Sequence, residues 1–309
     1  MKKFKLGLVK VLWGVYALYH FLKDFVPFLN ESISLFEKLL SYFNIALNYL
    51  FLRRFFLMVK WESKFEIKKD RWVYVPTDEV RLYGEKLHNY LRKRWVPPLY
   101  FYHLRDGGHV ACAKKHLANE YFALIDIKKF FESTGQSRVT REIKNYFKYN
   151  DAREIAKLST VRNPLPVGPK YIIPYGFPQS PILSTLCLHK SYCGGLFKKI
   201  DSSFGIDISI YMDDIIISGN DLELCNLNYK LLCDGLIRSG YEVNENKSQA
   251  PSKSIRAFNL ELKKDSLRVL SSRVVEFLVA YIKSDNPHVR KGIASYVGSI
   301  NAEQAKLFR

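Results

Sequence analysis

The chain has 309 residues and is 48% hydrophobic, enough to bury a large core and to divide into subdomains. Its 48 Lys and Arg against 30 Asp and Glu give a net charge of +18, which draws polyanions and makes binding salt-dependent; an anionic membrane surface would be drawn equally, so charge alone does not choose. Cys112, Cys187, Cys193, Cys225 and Cys233 are odd in number and lack Cys-x-x-Cys spacing, which argues against a disulfide framework and a zinc site and fits a reducing cytoplasm.

Residues 1–60 open on a basic start. Val9 to Leu22 and Ile33 to Met58 are rich in Leu, Phe and Tyr at helix-like spacings, with Pro27 between them. Lys10, Lys23-Asp24, Glu37-Lys38 and Arg53-Arg54 interrupt these stretches, so none reaches the roughly 18 uncharged apolar residues of a membrane span. The segment reads as two or three amphipathic helices that pack on the next region or on a partner, with membrane-surface attachment as the weaker alternative. Trp61 to Arg71 reads as a charged transition. His103 to Lys115 reads as a hairpin around the Asp106-Gly107-Gly108 turn, its arms carrying Arg105, Lys114 and Lys115.

Tyr121 to Ile127 is an apolar strand that delivers Asp126 near its end, followed by Lys128, Lys129, Phe130 and Phe131. Residues 134–175 read as helical and then loop-like, with Pro164, Pro166 and Pro169 breaking regularity. Ile208 to Gly219 holds Asp213 and Asp214 between two β-branched runs, which places the pair at the tip of a buried hairpin. Alone, Asp-Asp is more often a solvated turn. Two like charges at a tight turn cost stability unless a cation sits there, and Mg²⁺ is the natural occupant because it takes carboxylate oxygens and leaves room for substrate phosphates. Asp126 and Asp213, from two separate strands, would supply the carboxylates of a two-metal phosphoryl-transfer site. Val274 to Ile282 is helix-like, and Asn301-Ala-Glu-Gln304 is a capped helix start.

Tyr211-Met-Asp-Asp214, with Asp126 in Leu-Ile-Asp-Ile-Lys-Lys-Phe-Phe131, resembles the catalytic palm of reverse transcriptases. Gly176-Phe-Pro-Gln-Ser-Pro-Ile-Leu-Ser184 resembles the family's Pro-Gln motif, Gly240 to Ser248 the palm motif that ends in a lysine, and Ala257 to Leu262 the hairpin that grips the primer. Lys291 to Val297 resembles the thumb of retron and other bacterial phage-defence reverse transcriptases. The resemblance implies an α+β right-hand polymerase: an N-terminal helical segment (1–60), fingers (61–118), an antiparallel-sheet palm (119–133 and 176–265), a helical fingers insertion (134–175) and a short helical thumb (266–309).

It also implies residue roles. Asp126, Asp213 and Asp214 would be catalytic and hold two Mg²⁺, with Mn²⁺ as a substitute, and the main chain at Ile127 would face the metal and triphosphate. Phe131, five residues after Asp126, stands at the family's steric gate, which implies dNTP rather than NTP. Gln179 would line the nucleotide pocket, Lys247 would protonate or neutralise the pyrophosphate, and Arg105, Lys114 and Lys115 would reach the triphosphate. Phe258 and Asn259 would grip the primer. One departure stands out: Pro178-Gln179 runs directly into Ser180-Pro181, without the family's glycine and spacer, which alters how closely backbone approaches the template base pair. Three functions follow: RNA-directed DNA polymerase, copying an RNA template by adding dNTPs to a primer and yielding DNA in bacterial anti-phage defence; untemplated or protein-primed DNA synthesis; or a catalytically silent RNA-binding scaffold. Partner proteins or self-association would engage the N-terminal helices.

Overall fold

The computed structural model describes residues 59–308, so the helices read from Val9–Leu22 and Ile33–Met58 lie outside the described residues. The described chain starts with β1 (Trp61–Lys68) and β2 (Arg71–Pro76), an antiparallel hairpin where the sequence reads as a charged transition. Trp61, Ser63, Phe65 and Ile67 alternate with Glu62, Lys64, Glu66 and Lys68, and Asp70 takes the positive φ of 65° at the turn. The acidic and basic side chains alternate along a strand whose surface is largely solvated, which is why the charge masks the period.

α1 (Asp78–Arg94) follows, capped by Thr77 and carrying Asp78 and Glu79 in its first turn and Arg92, Lys93 and Arg94 in its last. The expected hairpin at 103–115 is absent. Tyr102–Leu104 forms a 3-10 turn, and Gly107 and Gly108, at φ 88° and 54°, reverse the chain into α2 (Gly108–Lys114). The two glycines serve a helix entry, not a strand reversal: Cys112 and Ala113 are the buried residues of a single short helix.

β3 (Tyr121–Lys128) leads to α3 (Gln136–Ile143) and α4 (Tyr149–Leu158), then to the short pair β4 (Val161–Arg162) and β5 (Tyr171–Ile172). Residues 134–175 are therefore helical and then irregular, as their pattern predicts. α5 (Ser180–His189), α6 (Tyr192–Asp201), β6 (Ile206–Tyr211), β7 (Asp214–Gly219), α7 (Leu222–Arg238), β8 (Glu242–Val243) and β9 (Gln249–Ser252) complete the central part. A second, three-stranded antiparallel sheet, β10 (Ser254–Ala257), β11 (Leu260–Lys263) and β12 (Ser266–Val269), precedes α8 (Ser271–Lys283), α9 (Pro287–Ile300) and α10 (Ala302–Ala305). The result is an α+β fold.

The central sheet has the order β6-β7-β3-β8, all antiparallel, with β9 also paired to β3. Strand parity explains why its strands are almost continuously apolar. Ala123, Ile125, Ile215 and Ile217 face one core with Leu183, Leu186, Phe197, Leu232 and Leu236 from α5, α6 and α7. Phe122, Leu124 and Ile216 face the other, against Leu260, Leu262 and Leu267 of the small sheet and Val274 and Val297 of the last helices. Fully burying each of these aliphatic side chains contributes roughly 1.5–3 kcal/mol, so a register slip by one residue would be expensive on both faces. Gln304 ties the C-terminal helices to the small sheet by accepting from Val269 N–H and donating to its carbonyl, both at 2.8 Å. Asn301 caps α10 through Gln304 N–H at 3.0 Å, the cap read from the sequence.

Candidate active site

The parity that builds two cores also places the carboxylates. β6 and β7 pair through Tyr211 and Asp214, which leaves Met212 and Asp213 as a two-residue turn with Met212 at φ 56°. Asp126 on β3 pairs directly with Asp214 on β7, and both share the face of Leu124 and Ile216. Two carboxylates directly opposite one another repel. Burial, followed by Asp213 and Asp126, pushes the Asp214 carboxyl up to about 7, against a pull from Lys247. Burial and Asp126 also push Asp213 upward, while its own backbone, Arg71 and Lys247 pull it down.

Asp126 is held on every polar atom by one short segment, Asn244 to Ser248. Its N–H donates to Ser248 Oγ at 3.0 Å and its carbonyl accepts from Asn244 N–H at 2.8 Å. Its Oδ1 accepts from Asn244 Nδ2 at 2.8 Å and its Oδ2 from Lys247 Nζ at 2.9 Å. The segment is itself closed by Lys247 and Ser248 N–H groups on the Asn244 carbonyl. The Ile127 N–H donates to the Asp213 carbonyl at 2.8 Å and so binds the turn to β3.

The donors are hard oxygens, which suit Mg²⁺ or Mn²⁺. Among the described residues no three His, Cys, Asp or Glu side chains are gathered as a ready ion cage, and the Asp126 carboxylate is turned onto Asn244 and Lys247. In chemistry and charge the site nonetheless fits a divalent cation: the raised Asp213 and Asp214 carboxyls are an anionic excess that one lysine and one arginine meet only in part.

That arginine, Arg71, is a residue sequence reading overlooked. The β1–β2 hairpin delivers it to 4.0 Å from Asp213 Oδ2; its Nη2 donates to Tyr175 OH at 2.7 Å, and its guanidinium lies 4.6 Å from that ring. The signal was the period-2 pattern of residues 61–68, which makes Arg71 the first residue of a returning strand. Phe131 stands beside this group, only 6% exposed, its ring 4.6 Å from Tyr175 and 5.6 Å from Phe130. On the other side, Phe258 and Asn259 form the two-residue β10–β11 turn with φ 57° and 61°, and the Phe258 ring lies 5.4 Å from Tyr211. Tyr211, Phe258, Asn259, Arg273, Phe277 and Tyr296 line an open pocket of about 450 Å³ between the two hairpin tips and the C-terminal helices.

The family described as Reverse transcriptase (RNA-dependent DNA polymerase) matches residues 62–278, most of the chain. The chain belongs to the reverse transcriptase family. Among solved structures it is similar to a foamy viral protease-reverse transcriptase in complex with double-stranded DNA, at 16% identity and a TM-score of 0.42 over 75% of this chain and 34% of that one. It is also similar to telomerase from Candida albicans in complex with a fragment of telomeric RNA, at 12% identity and a TM-score of 0.42 over 74% of this chain and 47% of that one. The chain thus spans less than half the length of these structures.

Within this reverse transcriptase fold, the carboxylates, Phe131, Lys247 and the Phe258-Asn259 turn lie around the β6–β7 turn, whereas Arg105, Lys114, Lys115 and Gln179 are placed elsewhere. Lys115 Nζ donates to the Ile208 carbonyl at 2.8 Å and faces Asp201 and Asp207. Ile208 lies three residues, about 10 Å of extended strand, before the end of β6 at Tyr211, where the Met212–Asp213 turn begins. Arg105 is exposed, donates to the Leu99 carbonyl and lies over the Tyr102 ring. Lys114 is exposed at the end of α2. A short helix in place of a hairpin leaves these cations without an arm to reach the carboxylates. Gln179 is fully buried at the N-cap of α5, its Nε2 3.3 Å from Ser159 Oγ and its Oε1 packed against Gly84 of α1 without a hydrogen-bond partner. The family's glycine is missing at this point, and the helix starts at once with Ser180.

Proposed function

We propose that the chain is an RNA-directed DNA polymerase that adds dNTPs to a primer end at the Asp126, Asp213 and Asp214 site. The observation that carries this reading is the direct cross-strand pairing of Asp126 with Asp214 beside the Asp213 turn, in a chain of the reverse transcriptase family. Asp126, Asp213 and Asp214 would hold two Mg²⁺ ions, or Mn²⁺ in their place. Bound there, such ions supply activation of the attacking hydroxyl and neutralisation of the leaving oxygen.

The chain's own groups do the rest. Arg71 carries a forked donor beside Asp213 and is the cation best placed for a triphosphate oxygen. Phe131, packed beside Tyr175, would lie against the sugar and select dNTP over NTP by shape. Lys247 holds the Asp126 carboxylate in place at 2.9 Å; once cation charge takes that place, its ammonium is available to protonate the pyrophosphate. Phe258 and Asn259, with Tyr211, hold the primer end. RNA template and DNA product are drawn by the +18 charge. The finer assignment, a retron-related enzyme of bacterial anti-phage defence, rests on the motif resemblance, and work in the cytoplasm on the unpaired cysteine pattern. Among the described residues, no helix is long and apolar enough to cross a membrane.

One observation favours a second reading, untemplated or protein-primed synthesis: the Pro178-Gln179 motif runs straight into α5, with Gln179 buried. Primer extension with defined RNA templates, single dNTPs and product sequencing decides. Mg²⁺-dependent products complementary to several unrelated RNAs are expected. Robust synthesis without template, or a DNA–protein adduct that survives boiling in detergent, overturns templated copying. RNA binding without any incorporation would make the protein a silent scaffold.

A further inference from the structure

Nothing in the motifs singled out His103, yet its ring accepts a hydrogen bond from the backbone of the Met212–Asp213 turn. The segment that carries it runs alongside the catalytic hairpin: Ile210 N–H donates to the Tyr100 carbonyl at 2.7 Å, and Phe101 forms a parallel bridge with Ile210. The imidazole is gripped edge to face by Tyr211 at 5.9 Å and Phe101 at 6.1 Å.

Its two nitrogens have fixed roles. Met212 N–H donates to Nδ1 at 3.0 Å, so Nδ1 carries the lone pair. Nε2 lies 2.6 Å from Thr185 Oγ1, and the Thr185 hydroxyl already donates to the Pro181 carbonyl at 2.8 Å. Oγ1 is therefore left to accept, and Nε2 must carry the proton. The constraints from the two ends agree on one neutral tautomer. Burial supports it, pushing His103 down to about 4 against a weaker opposing pull from the Ile210 backbone.

This chain of hydrogen bonds runs from the turn that presents Asp213, through His103 and Thr185, to the Pro181 carbonyl in the first turn of α5. It needs to be there because Met212 is a non-glycine residue at φ 56°, a strained conformation that persists only when its surroundings fix it. The Asp213 carbonyl is held from the β3 side by Ile127 N–H; His103 holds the same turn from the α5 side.

We propose that His103 is a positioning residue for the reaction: as the Nε2–H tautomer fixed at both ends, it holds the Met212–Asp213 turn so that the Asp213 carboxylate meets its cation, and it sets that turn in register with the Pro-Gln-Ser-Pro helix. The inference rests on the polymerase reading above, and its test separates the two.

Asn and Gln divide the imidazole between them. In His103→Asn the side-chain oxygen falls near Nδ1 and keeps the Met212 bond; in His103→Gln the amide falls near Nε2 and keeps only the Thr185 bond. A catalytic group displaced by about 1 Å loses on the order of a hundredfold. His103→Gln is therefore expected to lose roughly ten- to a hundredfold in kcat with KM for dNTP nearly unchanged, whereas His103→Asn stays within about threefold of wild type. Mn²⁺ titration by calorimetry should show weaker binding in the Gln variant than in the Asn variant, with equal melting temperatures.

Nitrogen chemical shifts of His103 in the wild-type protein should show Nδ1 unprotonated; Thr185→Val, which removes the Nε2 partner while Met212 N–H still holds Nδ1, should move the Nε2 resonance and keep the tautomer, and Thr185→Ser should restore the wild-type shift. A protonated Nδ1 in wild type, or Gln and Asn variants equal in both kcat and Mn²⁺ affinity, overturns the proposal. If wild type itself incorporates no dNTP, the polymerase reading falls, and the Mn²⁺ affinities and the tautomer still decide the role of His103.

Discussion

The two halves of the carboxylate site are built on different principles. On the β3 side, Asp126 has its N–H, its carbonyl and both carboxylate oxygens bound by Asn244, Lys247 and Ser248. On the hairpin side, Asp213 and Asp214 have a guanidinium at 4.0 Å and a strained turn, and their carboxyls are pushed upward. One half is finished by the protein; the other carries an electrostatic deficit that a cation would relieve. A site of this kind is rigid where the substrate must be aligned and charged where the ion must be attracted.

Removing either half should be fatal, for different reasons. Asp126→Ala or Asp213→Ala is expected to lower dNTP incorporation by about a thousandfold or more while RNA binding, supplied by the basic surface, stays nearly intact. Single-turnover incorporation beside a filter-binding curve checks both, and near-normal incorporation by either variant removes the two-carboxylate assignment. The finished half can also be loosened without touching a carboxylate. Asn244→Ala leaves Asp126 its lysine but removes its Oδ1 donor, and groups that orient a ligand in this way are typically worth 10–100-fold. A fall of that size in kcat is expected, with Asn244→Asp worse than Asn244→Ala because it sets a new carboxylate against Asp126.

The pH response separates the halves again. Asp214 has a folded value of about 7 against an ordinary 3.8, so the folded protein holds a proton there that the unfolded chain has released. This group's contribution to stability is present below about pH 4 and is lost as pH rises towards 7. His103 and His116 act in the opposite sense: burial pushes them down to about 4 and about 3, so their contribution is full above 6.5 and is lost as pH falls towards those values. Without Mg²⁺, the melting temperature should therefore rise from pH 4.5 to 6.5, where the imidazoles pushed down by burial, His103 and His116 with His88, His109 and His189, outweigh the raised carboxyls of Asp214, Asp213 and Glu132, and then dip slightly towards 7.5. Added Mg²⁺ should abolish the dip, and Asp214→Asn should abolish it without metal. Incorporation at limiting Mg²⁺ should fall as pH drops below about 7, as the proton competes for Asp214.

What the sequence made legible follows from locality. The β6–β7 hairpin, the Asp126 strand, the Phe258-Asn259 turn and the Asn301 cap are each specified by residues within one short window, and all stand where their patterns put them. The β1–β2 hairpin was hidden because its solvated strand alternates Glu and Lys with its few apolar residues, so charge obscured a period of two. Gly107 and Gly108 misled in the other direction: glycines at positive φ serve helix entries as well as hairpins, and only Cys112 and Ala113 packing inward distinguishes the two. Gln179 and His103 were beyond any window. The burial of the first depends on Gly84 of α1, and the role of the second on Met212 and Thr185, contacts that exist only once the chain has folded.

The smallest expected effect tests which cations belong to the site. Arg71 and Lys115 are both basic, both partly buried and both near a carboxylate, but only Arg71 reaches the turn. Its 4.0 Å separation from Asp213 is long for a direct ion pair, and its stronger commitment is to Tyr175, by hydrogen bond and by ring contact. That leaves guanidinium donors uncommitted beside the carboxylates, where a triphosphate would replace water as their partner. Arg71→Ala is expected to raise KM for dNTP about tenfold, since a charge-assisted hydrogen bond contributes on the order of 1.5 kcal/mol, with a smaller change in kcat. Arg71→Lys should recover only part of this, because an ammonium keeps the charge and loses the fork and the stacking on Tyr175. Lys115→Ala should leave KM unchanged and cost a little stability, because its amine joins the Ile208 carbonyl to Asp201 and Asp207 at the opposite end of β6. Steady-state kinetics on the three variants, with melting curves alongside, check the contrast; a larger KM effect at Lys115 than at Arg71 would move the triphosphate to the other end of the hairpin and away from Asp213.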